Sequence, residues 1–283
     1  MPVPRRIGTE PSPAERFLEA LADPARKPIE ARDVALVVAH PDDETIGCGA
    51  QLARLEGVSL VMVTDGAPRS GQDAQRAGFA STQAYADARA RELREVLALA
   101  GVPERALARL GFADQTAALR LVELTQALLD LFANRKVNIA LTHSYEGGHP
   151  DHDATAFAVH TAARLSADAG QPLSVVEMPF YRAEDGAEIF QQFTPSANPE
   201  TAVRLSSEEQ QLKQRMLDAH VTQRQVLRNV GATVERFRRA PDYDFAALPN
   251  NGRLLYEQHD WDMTGAKWLE LVRAARRNLG LGA

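Results

Sequence analysis

Cysteine is almost absent from this chain. Cys48 stands alone among 283 residues, which excludes an internal disulfide framework and any cysteine-rich zinc module and makes a reducing, cytoplasmic setting the simplest expectation. Aromatic residues make up only 6%, and no apolar run approaches the length of a membrane span, so no transmembrane segment is expected. Excess positive charge is missing too. The 32 basic and 38 acidic side chains leave a net charge of -6, with no global basic field to hold nucleic acid or an anionic membrane surface. The N-terminal stretch from Met1 to Lys27 is charged and proline-rich and lacks the apolar centre of a signal peptide. What remains is 45% apolar content, enough for the core of a large α/β domain, and small molecules as the expected partners.

Residues 1–32 read as a leader with one short amphipathic helix from Ala14 to Leu21. Residues 33–283 read as a single domain, with a core over 33–181 and a C-terminal extension over 182–283. Continuous apolar runs at 34–38, 58–63 and 137–141, and a weaker one at 173–176, have the pattern of strands buried on both faces. Helical patterns separate them at 45–55, 82–99, 117–132 and 153–168. That alternation predicts a Rossmann-like three-layer α/β/α fold with a mostly parallel sheet. The glycine- and serine-rich stretch 65–81 is a candidate active-site loop, and 182–205 is weakly patterned. Ser206-Ser207-Glu208-Glu209 offers a capping box for a long helix to Val230. The tail 241–262 is loop-like before a last helix over 267–277.

Two runs carry the chemistry: Ala39-His40-Pro41-Asp42-Asp43-Glu44 and Gly147-Gly148-His149-Pro150-Asp151-His152-Asp153. Each follows a predicted strand, and in open parallel sheets ligands collect at the strands' carboxyl ends. His40 and Asp43, three apart at a tight turn, can converge on one divalent ion. Asp42, facing elsewhere, is then free to take a proton from water. In the second run one histidine suffices for the ion; the other, oriented by a carboxylate such as Asp151, can be charged and stabilise an oxyanion. Gly147 and Gly148 would let backbone approach substrate closely, whereas Gly47 and Gly49 suit close helix packing. Taken singly, each run is also explained as acidic or histidine capping of a helix start. Their shared position after two strands favours a divided metal site.

The pair of motifs resembles the PIG-L/LmbE-like family of zinc-dependent de-N-acetylases, whose members include N-acetylglucosaminyl-phosphatidylinositol and mycothiol- and bacillithiol-pathway deacetylases. The resemblance covers residues 34–181 and implies an LmbE-like fold in which His40, Asp43 and His152 bind Zn2+, or another divalent metal such as Fe2+. It further implies Asp42 as general base, with His149, supported by Asp151, stabilising the oxyanion. Arg89, in an Arg-x-x-Glu pattern with Glu92, is similar to a substrate-contacting arginine, although a charged helix face at Arg89, Arg91 and Arg94 needs no function. Asp114 in Leu110-Gly111-Phe112-Ala113-Asp114 is similar to an aspartate that holds sugar hydroxyls, or it caps the next helix. The stretch Lys213 to Gln223 with His220 resembles the family's C-terminal helix, without a role for His220. His143, His160 and His259 read as ordinary structural histidines.

The expected activity is metal-dependent removal of an N-acetyl or similar acyl group from an amino sugar or its conjugate. A non-catalytic sugar- or nucleotide-binding Rossmann-like module, and a metal hydrolase acting on another bond, are the alternatives.

Overall fold

A computed structural model describes residues 10–259 and 261–282. Residues 1–9 of the expected leader and Asp260 in the expected loop-like tail lie outside the described residues. Seven strands form the main sheet, in the order Glu200–Arg204, Val234–Arg239, Ser174–Met178, Ile139–His143, Val34–Val38, Ser59–Thr64, Leu107–Phe112. The last five in that order pair in parallel; Val234–Arg239 and Glu200–Arg204 join antiparallel at one edge. Val34–Val38 is buried at every position because helices cover both faces.

Alternate residues of that strand feed two different cores. Val34, Leu36 and Val38 pack with residues from helices Pro13–Ala22, Asp43–Leu52, Thr82–Leu99 and Ser207–Ala219. Ala35 and Val37 face the other layer, built from Leu121–Arg135, Pro150–Asp168 and Gly265–Asn278. The three-layer arrangement and the mostly parallel sheet are as the sequence predicts. Among the described residues no helix is long and apolar enough to cross a membrane.

Several elements differ from expectation. The Leu107–Phe112 strand has no continuous apolar run, because it lies at the sheet edge and is only partly covered. The weakly patterned 182–205 region holds the hairpin Tyr181–Glu184 with Ala187–Phe190 and the edge strand Glu200–Arg204; the second hairpin strand and the edge strand are only partly covered and therefore carry no apolar periodicity. The expected helix to Val230 stops at Ala219, where His220 leaves helical geometry with φ -78° and ψ 64°. The leader's helix is no appendage: Ala14, Phe17 and Leu21 are buried in the core, and Arg54 closes its end by donating to Ala20 O (2.9 Å) and Leu21 O (3.1 Å).

Helix Asp43–Leu52, which carries Asp43 and Glu44 of the first motif, is broken at Cys48 (φ -145°, ψ 28°). Gly47 permits the break by letting the helix close on Met178; a Cβ there would lie 2.6 Å from its Sδ. A break strands backbone groups in the interior, where an unpaired polar atom is costly. One buried ion pair meets that need. Lys213 Nζ donates to the Ile46 carbonyl (2.9 Å) and to Glu235 Oε1 (2.8 Å), while Glu235 accepts from Ala50 N (2.9 Å) and Gln51 N (3.2 Å). Gln191 Nε2 adds a second donor to Ile46 O at 3.2 Å. Because Lys213 and Glu235 have fully buried side chains, Lys213→Met should strand a carboxylate in the core and cost about 3–5 kcal/mol. Urea unfolding would check this, and a loss under about 1 kcal/mol would show that the break is held by other contacts.

Candidate active site

The strand order reverses between Val34–Val38 and Ile139–His143, neighbours from which the chain departs toward opposite edges. Loops leaving the carboxyl ends of two such strands flank a crevice. His40 follows the first strand and the second motif follows the other, so sequence positions more than a hundred residues apart meet at one point. His40 Nδ1 lies 3.2 Å from His152 Nε2 and 3.4 Å from Asp43 Oδ2, and His152 Nε2 is 3.3 Å from Asp43 Oδ1. All three residues are buried.

These spacings suit a metal. Ligands at 2.0–2.1 Å in a tetrahedron are separated by about 3.3 Å. The tautomers suit it too. His40 presents Nε2 to two carboxylates, Asp114 Oδ1 at 3.2 Å and Asp151 Oδ2 at 3.3 Å, so its proton belongs on that nitrogen and the Nδ1 lone pair faces the cluster. Burial disfavours charge on His40, yet Asp114, Asp151 and Asp43 together hold its pKa well above the usual imidazole value. Burial likewise opposes ionisation of Asp43, but His152 and His143 hold its carboxyl well below the ordinary range. The cluster thus favours positive charge at its centre. His40 also groups with Asp114, His149 and Asp151, but there it would bind through the nitrogen its carboxylate partners occupy.

Asp42 sits beside this donor set in a different environment. Its backbone is strained, φ 139° in a non-glycine residue, and the neighbours over-determine it. Glu44 Oε2 accepts from Asp42 N at 3.1 Å, and Arg89 Nη2 donates to Asp42 Oδ2 (3.0 Å) and Pro41 O (2.7 Å). Burial pushes the Asp42 carboxyl up to about 7, against the opposing pull of the Arg89 guanidinium. Arg89 is therefore not on the solvated face of its helix; it is 5% exposed and tied to Asp42, while still lining the cavity. Gly66, at φ +65°, leaves the space through which that guanidinium passes.

The second motif is rearranged relative to expectation. Asp151 does not orient His149. As the second residue of helix Pro150–Asp168 its carboxylate turns back to accept from Gln115 N (2.6 Å) and Ala117 N (3.0 Å), which leaves Oδ2 beside His40. His149 is fixed instead as the helix cap, its Nδ1 accepting from Asp151 N at 3.1 Å, so the proton resides on Nε2. Burial and the nearby His40 depress its pKa well below the usual value, which favours a neutral ring over the charged one expected. Asp114 caps no helix. It lies under His40 and 4.0 Å from Arg89, its carboxyl held below the ordinary range by His40 against the burial that would raise it. Gly148 admits the chain's own backbone rather than substrate: a Cβ there would run into the Tyr181 carbonyl oxygen.

Sequence reasoning left out several contributors. His143 accepts from Ala39 N (2.9 Å) and stacks on His152 with ring centroids 4.1 Å apart; its place at a strand end, like that of His40, is the signal. His220 lies beneath the motif, 3.1 Å from Glu44 Oε1 and 3.2 Å from Thr45 Oγ1. Glu92 turns away from Arg89 to accept from Thr222 N (3.0 Å) and Thr222 Oγ1 (2.6 Å), which steadies the turn after His220. His259 stacks on Trp261 at the cavity wall, whereas His160 packs among Tyr243 and Phe245. Nothing in the local pattern marks Trp261.

Residues 35–163 match the model of the PIG-L family, described as GlcNAc-PI de-N-acetylase. A 165-residue stretch is 28% identical to 1D-myo-inositol 2-acetamido-2-deoxy-alpha-D-glucopyranoside deacetylase 2 of Catenulispora acidiphila, covering 50% of this chain. That stretch is 54% of the relative, so the chain spans about half the length of the curated protein it matches. In fold the chain is similar to the antimicrobial reagent A40926 pseudoaglycone deacetylase (TM-score 0.58, 19% identity, 76% of this chain and 99% of that one). It is also similar to N,N'-diacetylchitobiose deacetylase from Pyrococcus horikoshii (TM-score 0.54, 21% identity, 81% and 90%). The fold is that of these deacetylases, and residues 35–163 are the part of the chain that matches the PIG-L family model.

Proposed function

We propose that this protein is a metal-dependent de-N-acetylase that hydrolyses the N-acetyl or similar acyl group of an amino sugar or amino-sugar conjugate. The observation that carries this reading is the convergence of His40 Nδ1, Asp43 and His152 Nε2 at 3.2–3.4 Å, with Asp42 alongside and His40, Asp42 and Asp43 lining one cavity. The name of the Catenulispora relative, a deacetylase of an inositol-linked acetamido sugar, concerns the same kind of bond.

His40, Asp43 and His152 would hold the ion, Zn2+ or Fe2+. When bound, such an ion supplies Lewis acidity toward an amide carbonyl and makes water more acidic. Asp42 accepts a proton from the attacking water at its carboxylate, and a pKa lifted to about 7 makes it a stronger base than an ordinary aspartate. His149 donates from Nε2–H to the carbonyl oxygen as negative charge builds there. The C–N bond then breaks, the carboxylate product leaves, and the amine takes up the proton held by Asp42. Asp151 and Asp114 act through His40, whose orientation they hold, and Arg89 acts through Asp42. We further propose that residues 33–283 work as one unit in which the 182–283 extension supplies the substrate side, since Glu188, Phe190, Val226, Leu255 and Trp261 line the cavity.

Metal-replete protein incubated with N-acetylated amino sugars and their glycosides should release primary amine, and release should stop on chelation. Failure to turn over any of them with the metal demonstrably bound would sink the reading. Asp42→Asn should keep the metal and lose about 100-fold or more in kcat, whereas His40→Ala should lose the metal itself. The opposite pattern in metal analysis would overturn the division between base and ligand.

The pH profile tests Asp42 separately. A base must be ionised, so kcat/KM should fall as pH drops through its pKa. Arg89 is the cation that counters burial, so Arg89→Met should raise that pKa and move the acid limb to higher pH, with activity at acid pH reduced more than at alkaline pH. A limb that stays in place in Arg89→Met would show that the titrating base is another group.

A further inference from the structure

Helix Pro150–Asp168 borders a second cavity, which encloses about 550 Å3 and shares no residue with the one over His40 and Asp42. Phe157, His160, Thr161 and Arg164 recur at helical spacing and form one stripe of its wall. The loop after strand Val234–Arg239 supplies the opposing rings. Phe245 packs edge-on against Phe157 with centroids 5.3 Å apart at 85°, and Tyr243 packs against Phe245 at 5.7 Å. The Tyr243 hydroxyl donates to Glu177 Oε2 at 2.8 Å, so this aromatic floor is held in place by the sheet itself.

The polar groups around the floor are left incomplete. His160 Nε2 is buried beside Tyr243 and Phe245 with no hydrogen-bond partner, an arrangement that an apolar side chain at the same position would avoid. Burial holds its pKa down at about 4, so the imidazole is neutral and keeps one nitrogen lone pair. Arg164 and Arg276, near the ends of two helices, border the same space, and so does Asp242. Among the described residues neither guanidinium forms an ion pair, with Asp242 or with any other carboxylate. Asp244 is committed to its own turn, its Oδ1 accepting from Ala246 N at 2.9 Å.

Charges of opposite sign that border one cavity without closing on each other leave room for a ligand that carries both. An alkyl chain would desolvate these groups without replacing their bonds to water. A phosphate would meet the arginines but bring its own negative charge toward Asp242. A zwitterion on an aromatic body answers every feature of the wall, and a ring bearing a donor, such as an indole N–H, would also give His160 Nε2 its missing partner.

We propose that this cavity is a binding site for a free aromatic amino acid, its ring on Phe157 and Phe245, its carboxylate at Arg164 and Arg276, and its ammonium group at Asp242. The site is separate from the reaction centre and stands or falls independently of the de-N-acetylase reading.

Ligand-observed NMR titrations of the full-length protein with L-tryptophan, indole-3-propionate and tryptamine test it, since the last two each lack one of the charges. Tryptophan should bind saturably and about threefold or more tighter than either analogue. The substitutions should then divide the advantage by charge. Arg164→Met combined with Arg276→Met should remove the preference over tryptamine, while Asp242→Asn should remove the preference over indole-3-propionate. Should the double substitution lower the urea midpoint, Asp242→Asn, at an exposed position, decides the question alone. Absence of saturable binding, binding of either analogue as tight as that of tryptophan, or preferences unmoved by the substitutions would overturn the site.

Discussion

Burying Asp42, Asp43, Asp114 and Asp151 around His40 and His152 is the arrangement on which the rest of the catalytic edge depends. Four carboxylates with almost no contact with water repel one another and lose hydration, and they persist only where each finds a donor or a cation. Asp151 spends its oxygens on two backbone N–H groups and His40, Asp43 faces the imidazoles, and Asp42 is held by one guanidinium. These partners come from several parts of the chain, brought together because two neighbouring strands send their connections in opposite directions. The same low-dielectric setting strengthens each remaining electrostatic contact, so small differences in partner raise the pKa of Asp42 and lower that of its neighbour Asp43.

Much of the support comes from outside the family-matching segment. His220 holds Glu44, which in turn holds the strained Asp42 backbone; Glu92 holds Thr222, and Gln223 donates to the Tyr85 hydroxyl. The C-terminal residues also shape the mouth, with the hairpin after Met178 pressed onto the second motif at Gly148. The segment matched by the PIG-L model holds His40, Asp42, Asp43 and His152. The remainder of the chain determines their stiffness and what can reach them.

The central strands were legible because they are buried on both faces and therefore read as unbroken apolar runs. Edge strands such as Leu107–Phe112 and Glu200–Arg204 obey no such pattern, since one face meets solvent and pairing rather than burial holds them. The convergence of His40 and Asp43 with a histidine of the second motif was readable from motif position at strand ends, and the family resemblance pointed to His152. Which carboxylate serves which histidine was not, because Asp151 chooses between His149 and His40 according to the first-turn geometry of its helix and two N–H groups at 115 and 117. Arg89 looked solvated for a related reason: the vacant space that admits it lies at Gly66, on another element. Spacing along the chain reports periodicity, whereas these choices are made by neighbours remote in sequence.

The broken helix that bears Asp43 has a consequence for how the molecule is made. Its stranded N–H groups at Ala50 and Gln51 wait for Glu235, 185 and 184 residues further along. During synthesis the N-terminal parts of a chain emerge first, and contacts so distant in sequence must absorb the loop-closure entropy before they stabilise anything. The first strands and their helices can therefore collapse early, whereas the break in the helix gains its buried ion pair only once Lys213 and Glu235 have been made. The break in this helix is therefore completed late, and a chain that stops short of Glu235 lacks the acceptor for those two N–H groups.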